Sequence, residues 1–118
     1  MKRLIVLRHG TAEQPKFGHS DFDRELTKRG EDDSLRVGEV LLERDLKPDV
    51  IVSSAAKRAF TTAKRVADGC GFERVVIEHS ELYSASLSII LNVIRTSISD
   101  TASTALIVGH NPGFHYTI

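Results

Sequence analysis

Apolar residues fall along this chain in two alternating rhythms. Unbroken runs come at Leu4-Ile5-Val6-Leu7, within Asp49–Ser54, within Arg74–Glu78 and at Ala105-Leu106-Ile107-Val108. Short runs of this kind, rich in β-branched residues, predict strands covered on both faces. Between them apolar residues recur every three or four positions. Val37, Val40 and Leu41, with Leu35, predict a helix from Thr27 to about Arg44, with Thr27 as N-cap and Pro48 barring any continuation. Ala59, Ala63, Val66, Ala67 and Cys70 form the core stripe of a second helix from Ala55 to Asp68, closed by Gly69 and Gly71. Leu87, Leu91, Ile94 and Ile98 predict a third. Residues 13–25 follow neither rhythm, and Pro15 and Gly18 mark them as a loop. Strands alternating with helices predict an α/β fold, a mostly parallel central sheet flanked by helices on both faces.

Right-handed crossovers place the carboxyl ends of parallel strands along one edge, where ligands bind. Three segments leave the predicted strands there: Arg8-His9-Gly10, Ser53 to Arg58, and Gly109-His110-Asn111-Pro112-Gly113. Taken singly, each has an ordinary structural reading: a hydrogen-bonded His, a solvated helix Arg, a capping His. Their convergence points to chemistry on phosphorus. A neutral imidazole attacks phosphorus, and guanidinium groups hold phosphoryl oxygens in a fork. His9 is the candidate nucleophile, its tautomer set by a hydrogen bond from its other ring nitrogen to a backbone carbonyl. Arg8 and Arg58 are the candidate cations, with Arg58 in the first turn of its helix. His110 is expected to reach the same oxygens as a cation or as an N–H donor. Gly10 would let a ligand approach the backbone, and the 13–25 loop would cover the site. Lys57, Arg65, His19 and His79 are expected at the surface.

Composition narrows the alternatives. The chain has 118 residues, one domain's worth, with Lys+Arg and Asp+Glu both at 16. That balance gives no electrostatic case for nucleic acid or a membrane surface. A single cysteine excludes an internal disulfide and fits a reducing compartment. After Met1-Lys2-Arg3 only four apolar residues precede Arg8, too few for a secretory core, so a cytoplasmic location is expected. A cysteine phosphatase would need Arg six positions after Cys70, where Val76 stands. No Walker loop is present, and His110 and His115 are poorly spaced for a metal, so neither cofactor nor metal is expected.

Leu7-Arg8-His9-Gly10, the segment Asp21 to Gly30, Ser53-Ser54 with Arg58 and Thr61-Thr62-Ala63, and Val108 to Gly113 together resemble the histidine phosphatase (phosphoglycerate mutase-like) superfamily, most of all its SixA-type phosphohistidine phosphatase branch. The resemblance runs through the whole chain in order. It implies a phospho-His9 intermediate, with Arg8, Arg58 and His110 forming the phosphate pocket. It also implies a substrate class, the phosphohistidine of a signalling phosphotransfer protein. Arg24 would pack beside the pocket without being catalytic. Relatives that hydrolyse phosphate esters carry an acidic proton donor where Ser84 stands here, with Glu81 as a nearby substitute. An imidazole leaving group has less need of that acid than an alkoxide. Two other functions remain open: a phosphatase for small phosphate esters, and a non-catalytic phospho-ligand binding module. Residues 1–118 are expected to form a single histidine phosphatase domain lacking the family's C-terminal segment. Phe114, Tyr116 and Ile118 would begin a helix that stops short, so the expectation is a shortened chain or a homodimer covering the gap.

Overall fold

A computed structural model describes residues 3–83 and 85–110. Ser84 and the segment 111–118, including Phe114, Tyr116 and Ile118, lie outside the described residues. The elements follow in the order β1 (Arg3–Arg8), α1 (Lys28–Glu43), β2 (Val50–Ser54), α2 (Lys57–Cys70), β3 (Ile77–His79), α3 (Leu87–Ser97) and β4 (Thr104–Gly109). Single 3-10 turns form at Asp21–Asp23 and Ser80–Leu82. The four strands make one sheet in the order β1-β4-β2-β3, and every described pairing is parallel.

Strand alternation divides the core in two. Ile51, Leu106 and Val108 face α1 and α2, where they pack with Leu41, Ala59, Ala63 and Val66. Val52, Ala105 and Ile107 face the other way, onto Ile90, Val93 and Ile98 around α3. Both faces are therefore covered over β2 and β4, as their apolar residues require, while β1, expected to be buried on both faces, is an edge strand of the described sheet and only half-buried. The register puts Arg8 beside Gly109 and Ser53 beside Val108, so β1, β4 and β2 end level with one another. His9, His110 and the Ala55–Arg58 segment leave neighbouring strands at one edge.

Three elements differ from the expectations. The third strand pairs only over Ile77–His79, because Val52 meets Ile77, and Val75 is left 84% exposed. The α3 stripe is Ile90 and Val93, not Leu87 and Leu91, which stand 42% and 47% exposed. Gly69 does not close α2. Gly71 does, at φ 73°, its N–H donating to the Ala67 carbonyl.

Gly69 lies instead where α2 meets Gly38 of α1. A Cβ on Gly38 would run into the Val66 carbonyl and stand 2.9 Å from the Gly69 Cα. The obstacle is backbone, which cannot rotate aside as a side chain can. Gly38→Ala is therefore expected to destabilise the protein by about 2 kcal/mol, overpacking outweighing the better helix propensity of Ala. A lower urea midpoint at unchanged m-value would register it.

Candidate active site

The site begins where β1 ends. The His9 N–H donates to the Gly109 carbonyl (3.1 Å), which extends the β1–β4 ladder one residue past Arg8. The Gly10 N–H donates to Thr62 Oγ1 on α2 (3.0 Å). Gly10 is glycine because α1 comes close: a Cβ there would stand 2.9 Å from the Gly30 carbonyl. The missing side chain admits the first turn of α1, not the ligand expected there. Thr27 caps that turn by accepting from the Gly30 N–H at 2.9 Å.

His9 Nδ1 donates to the Gly10 carbonyl at 2.7 Å. This leaves the lone pair on Nε2, which accepts from Arg58 Nε at 3.3 Å. The pKa of His9 is lowered chiefly by burial, opposed by the Gly10 hydrogen bond and reinforced by the charges of Arg58, Arg8 and Arg24. Burial and these charges both favour the neutral ring, with the Nε2 lone pair facing Arg58 and able to act as a base or a nucleophile.

Arg58 is the second residue of α2 and buried. Beyond its contact with His9, Nη1 donates to the Asp21 carbonyl (2.7 Å) and Nη2 to Asp21 Oδ2 (3.0 Å). Asp21 is the hub of the outer wall. It also accepts from the Tyr83 hydroxyl at 2.6 Å and from Arg24 Nη1 at 3.1 Å. Donation from Tyr83, then from Arg24 and Arg58, holds its carboxyl well below the usual carboxylate range, while Asp21 raises the pKa of Tyr83. The 13–25 loop thus docks on the site through Asp21.

His110 closes the inner side. Its ring centroid lies 5.2 Å from that of His9 and 5.6 Å from that of Tyr83. Its Nε2 hydrogen-bonds Ser54 Oγ at 2.8 Å, while buried Nδ1 finds no partner among the described residues. Burial first, then the Arg58 charge, pushes its pKa down to about 4. Of the two expected forms, cation or N–H donor, the neutral donor is the one this setting favours.

Arg8 lines a hollow with His9, Gly10, Thr11, Ala12 and Arg24, and its side chain makes no hydrogen bond or ion pair among the described residues. The edge therefore gathers His9, Arg8, Arg58 and His110. Glu81 is exposed in its 3-10 turn and makes no hydrogen bond or ion pair among the described residues. Lys57 and Arg65 lie at the surface in ion pairs with Glu25 (2.7 Å) and Glu31 (3.0 Å). His79, expected at the surface, is half-buried, its Nδ1 without a partner among the described residues. Asp21 and Tyr83 were not singled out by sequence reasoning. The signal for Asp21 is its place at the head of the Asp21–Gly30 segment that carries the family resemblance, three residues before Arg24.

A neutral imidazole, three guanidinium groups and an imidazole N–H donor at the carboxyl edge of a parallel sheet define an α/β protein equipped to hold a phosphoryl-sized anion. Residues 4–86 match the model of the histidine phosphatase superfamily (branch 1), and the chain belongs to that superfamily. A structure assigned as the phosphohistidine phosphatase SixA of Agrobacterium tumefaciens superposes with a TM-score of 0.87 at 28% identity, over 98% of this chain and 74% of that one. A 2,3-bisphosphoglycerate-dependent phosphoglycerate mutase of Thermobifida fusca is 34% identical over 68% of this chain and 33% of its own length. A chloroplastic protein of Arabidopsis thaliana is 29% identical over 96% of this chain and 56% of its own. The chain thus spans between a third and just over half of these curated relatives. Among the described residues no helix is long and apolar enough to cross a membrane.

Proposed function

We propose that this protein is a phosphatase that takes a phosphoryl group onto His9 Nε2 and passes it to water, with phosphohistidine of a signalling phosphotransfer protein as its substrate. The observation that carries the reading is the His9 geometry. Nδ1 is committed to the Gly10 carbonyl, so the Nε2 lone pair stands beside Arg58, where a phosphoryl group would be held. That lone pair forms the new P–N bond while the bond to the substrate's nitrogen breaks, its electron pair staying on that nitrogen. Water then forms a P–O bond, the pair of the breaking P–N bond returns to Nε2, and both water protons leave on the released phosphate. Arg8, Arg58 and His110 stabilise the transferring group. No metal is assigned a part.

The choice of phosphohistidine rests on the leaving group. An alkoxide needs a proton as it departs, whereas an imidazole protonated on its far nitrogen departs neutral without one. The carboxyl group joined to Arg58 is that of Asp21, kept ionised by its donors and so a poor proton source. Glu81 has no contact that draws it inward. Ser84, at the position where relatives carry the acid, lies outside the described residues.

A phosphohistidine peptide and an aryl phosphate, incubated side by side without added metal, test the assignment. Phosphate release from the peptide should exceed that from the ester by about 100-fold or more in kcat/KM. Preference for the ester, removed by Glu81→Gln, would support a small-ester phosphatase instead. Vanadate binding without turnover of either substrate would leave a phospho-ligand binding module.

A further inference from the structure

The wall opposite His9 carries chemistry that attack on phosphorus does not use. Arg58 Nε donates to His9, and its two outer nitrogens donate to Asp21. Asp21 and the nucleophile are therefore held by different nitrogens of the one guanidinium group. In-line displacement puts the leaving group on the side opposite the attacking atom. The departing group would then pass beside the Asp21 carboxylate and the aromatic rings next to it. Phe22 and Tyr83 meet edge to face at 5.2 Å, and the Phe22 ring is 36% exposed.

We propose that Asp21 is a specificity-determining residue that favours leaving groups bearing positive charge and rejects those bearing negative charge. The charges around the pocket support this. Arg8, Arg24 and Arg58 bias His9, and Asp21 is tied to two of them. Three guanidinium groups against one carboxylate leave two positive charges, which a phosphoryl dianion would match. Lys16 and Lys57, the neighbouring ammonium groups on that side, are both taken by Glu25 (3.6 and 2.7 Å). A second anionic group on the substrate would meet the Asp21 carboxylate, with both of those ammonium groups already paired. A cationic ring would meet a carboxylate and two aromatic walls, the surroundings that stabilise such a group.

This deepens the proposed function and rests on His9 being the nucleophile, because the leaving-group side is defined from it. Phosphohistidine protonated on its far nitrogen is the kind of substrate such a wall would favour. A phosphate ester with a carboxylate near the phosphorus is the kind it would turn away.

The test is binding of two non-hydrolysable probes, benzylphosphonates bearing a para-aminomethyl or a para-carboxyl group, with inorganic vanadate as reference. Calorimetry reads each with the native protein, Asp21→Asn and Asp21→Glu. The native protein should bind the ammonium probe about tenfold more tightly than the carboxylate probe. Asp21→Asn should bring that ratio to within about twofold, and Asp21→Glu should restore most of it. Structural damage to the loop would weaken vanadate along with both probes, whereas loss of the carboxylate alone changes the ratio and leaves vanadate binding in place. An unchanged ratio in Asp21→Asn, or vanadate binding with neither phosphonate accepted, overturns the role of Asp21 alone. Failure to bind vanadate at all overturns the anion pocket and the proposed phosphatase with it.

Discussion

Replacing His9 with alanine is expected to cut phosphate release by about 10⁴-fold or more and to erase the acid-labile phosphoryl label from the protein. The reason is specific to Nε2. The other groups at the site are guanidinium groups, which carry charge and no free lone pair, and one further imidazole, and none of them can accept the phosphorus. His110, the other imidazole, has its Nε2 on Ser54 at 2.8 Å and its Nδ1 buried. The alanine variant should keep its fold, because His9 is only half-buried and its backbone N–H remains on Gly109. Rapid quench with a phosphorus-labelled donor, followed by acid and by alkaline work-up, checks the label directly. Label that survives His9→Ala would place the nucleophile elsewhere. Cys70→Ala is the matched control: that thiol is buried, its pKa raised first by desolvation, and it should change neither turnover nor label. The pH profile belongs to the same prediction. Protonated His9 cannot attack, so kcat/KM should fall on the acid side as His9 gains its proton. Because its pKa is lowered, the limb due to His9 should have its midpoint below 6.5.

The features visible in the sequence are those that follow from periodicity. Strands β2 and β4 are buried on both faces, whereas β1, at the edge of the described sheet, is only half-buried; the chain leaves each of the three beside a residue of the site. That is why His9, Arg58 and His110 could be singled out from linear order alone. Helix α3 shows where periodicity fails. It carries apolar residues around most of its circumference, Leu87, Ile89, Ile90, Leu91, Val93 and Ile94, so the pattern cannot say which face is inward. Only packing on Val52 and Ile107 chooses Ile90 and Val93. The Gly38–Gly69 contact was invisible for a related reason. A glycine inside a helix reads as a defect or an end until a second helix is seen lying on it. Asp21 and Tyr83 are hidden more deeply. Asp21 lies in a loop without rhythm and Tyr83 follows a 3-10 turn, 62 residues further on. The hydrogen bond that joins them at 2.6 Å exists only once the chain has closed round Arg58.

Arg58→Ala is expected to lower kcat/KM by about 10³- to 10⁴-fold, more than the loss of one donor to a developing anion ordinarily costs. Two effects add. The first is the loss of the guanidinium beside His9 Nε2, which would otherwise hold the phosphoryl oxygens in place. The second falls on Asp21, which loses both of its Arg58 contacts and keeps only Arg24 and Tyr83. Its carboxylate is then less neutralised and repels an approaching phosphoryl dianion. Arg58→Lys keeps the charge, but a single ammonium on a flexible stem cannot span His9, the Asp21 carbonyl and the Asp21 carboxylate together. It should regain only part of the loss. If the two effects are coupled as argued, Asp21→Asn placed on Arg58→Ala should relieve the repulsion, and the double variant should exceed Arg58→Ala alone in kcat/KM. A double variant that falls by the product of the two single losses would mean that the two residues act independently. The ion pair between them would then be a consequence of packing, with no part in how the pocket receives its anion.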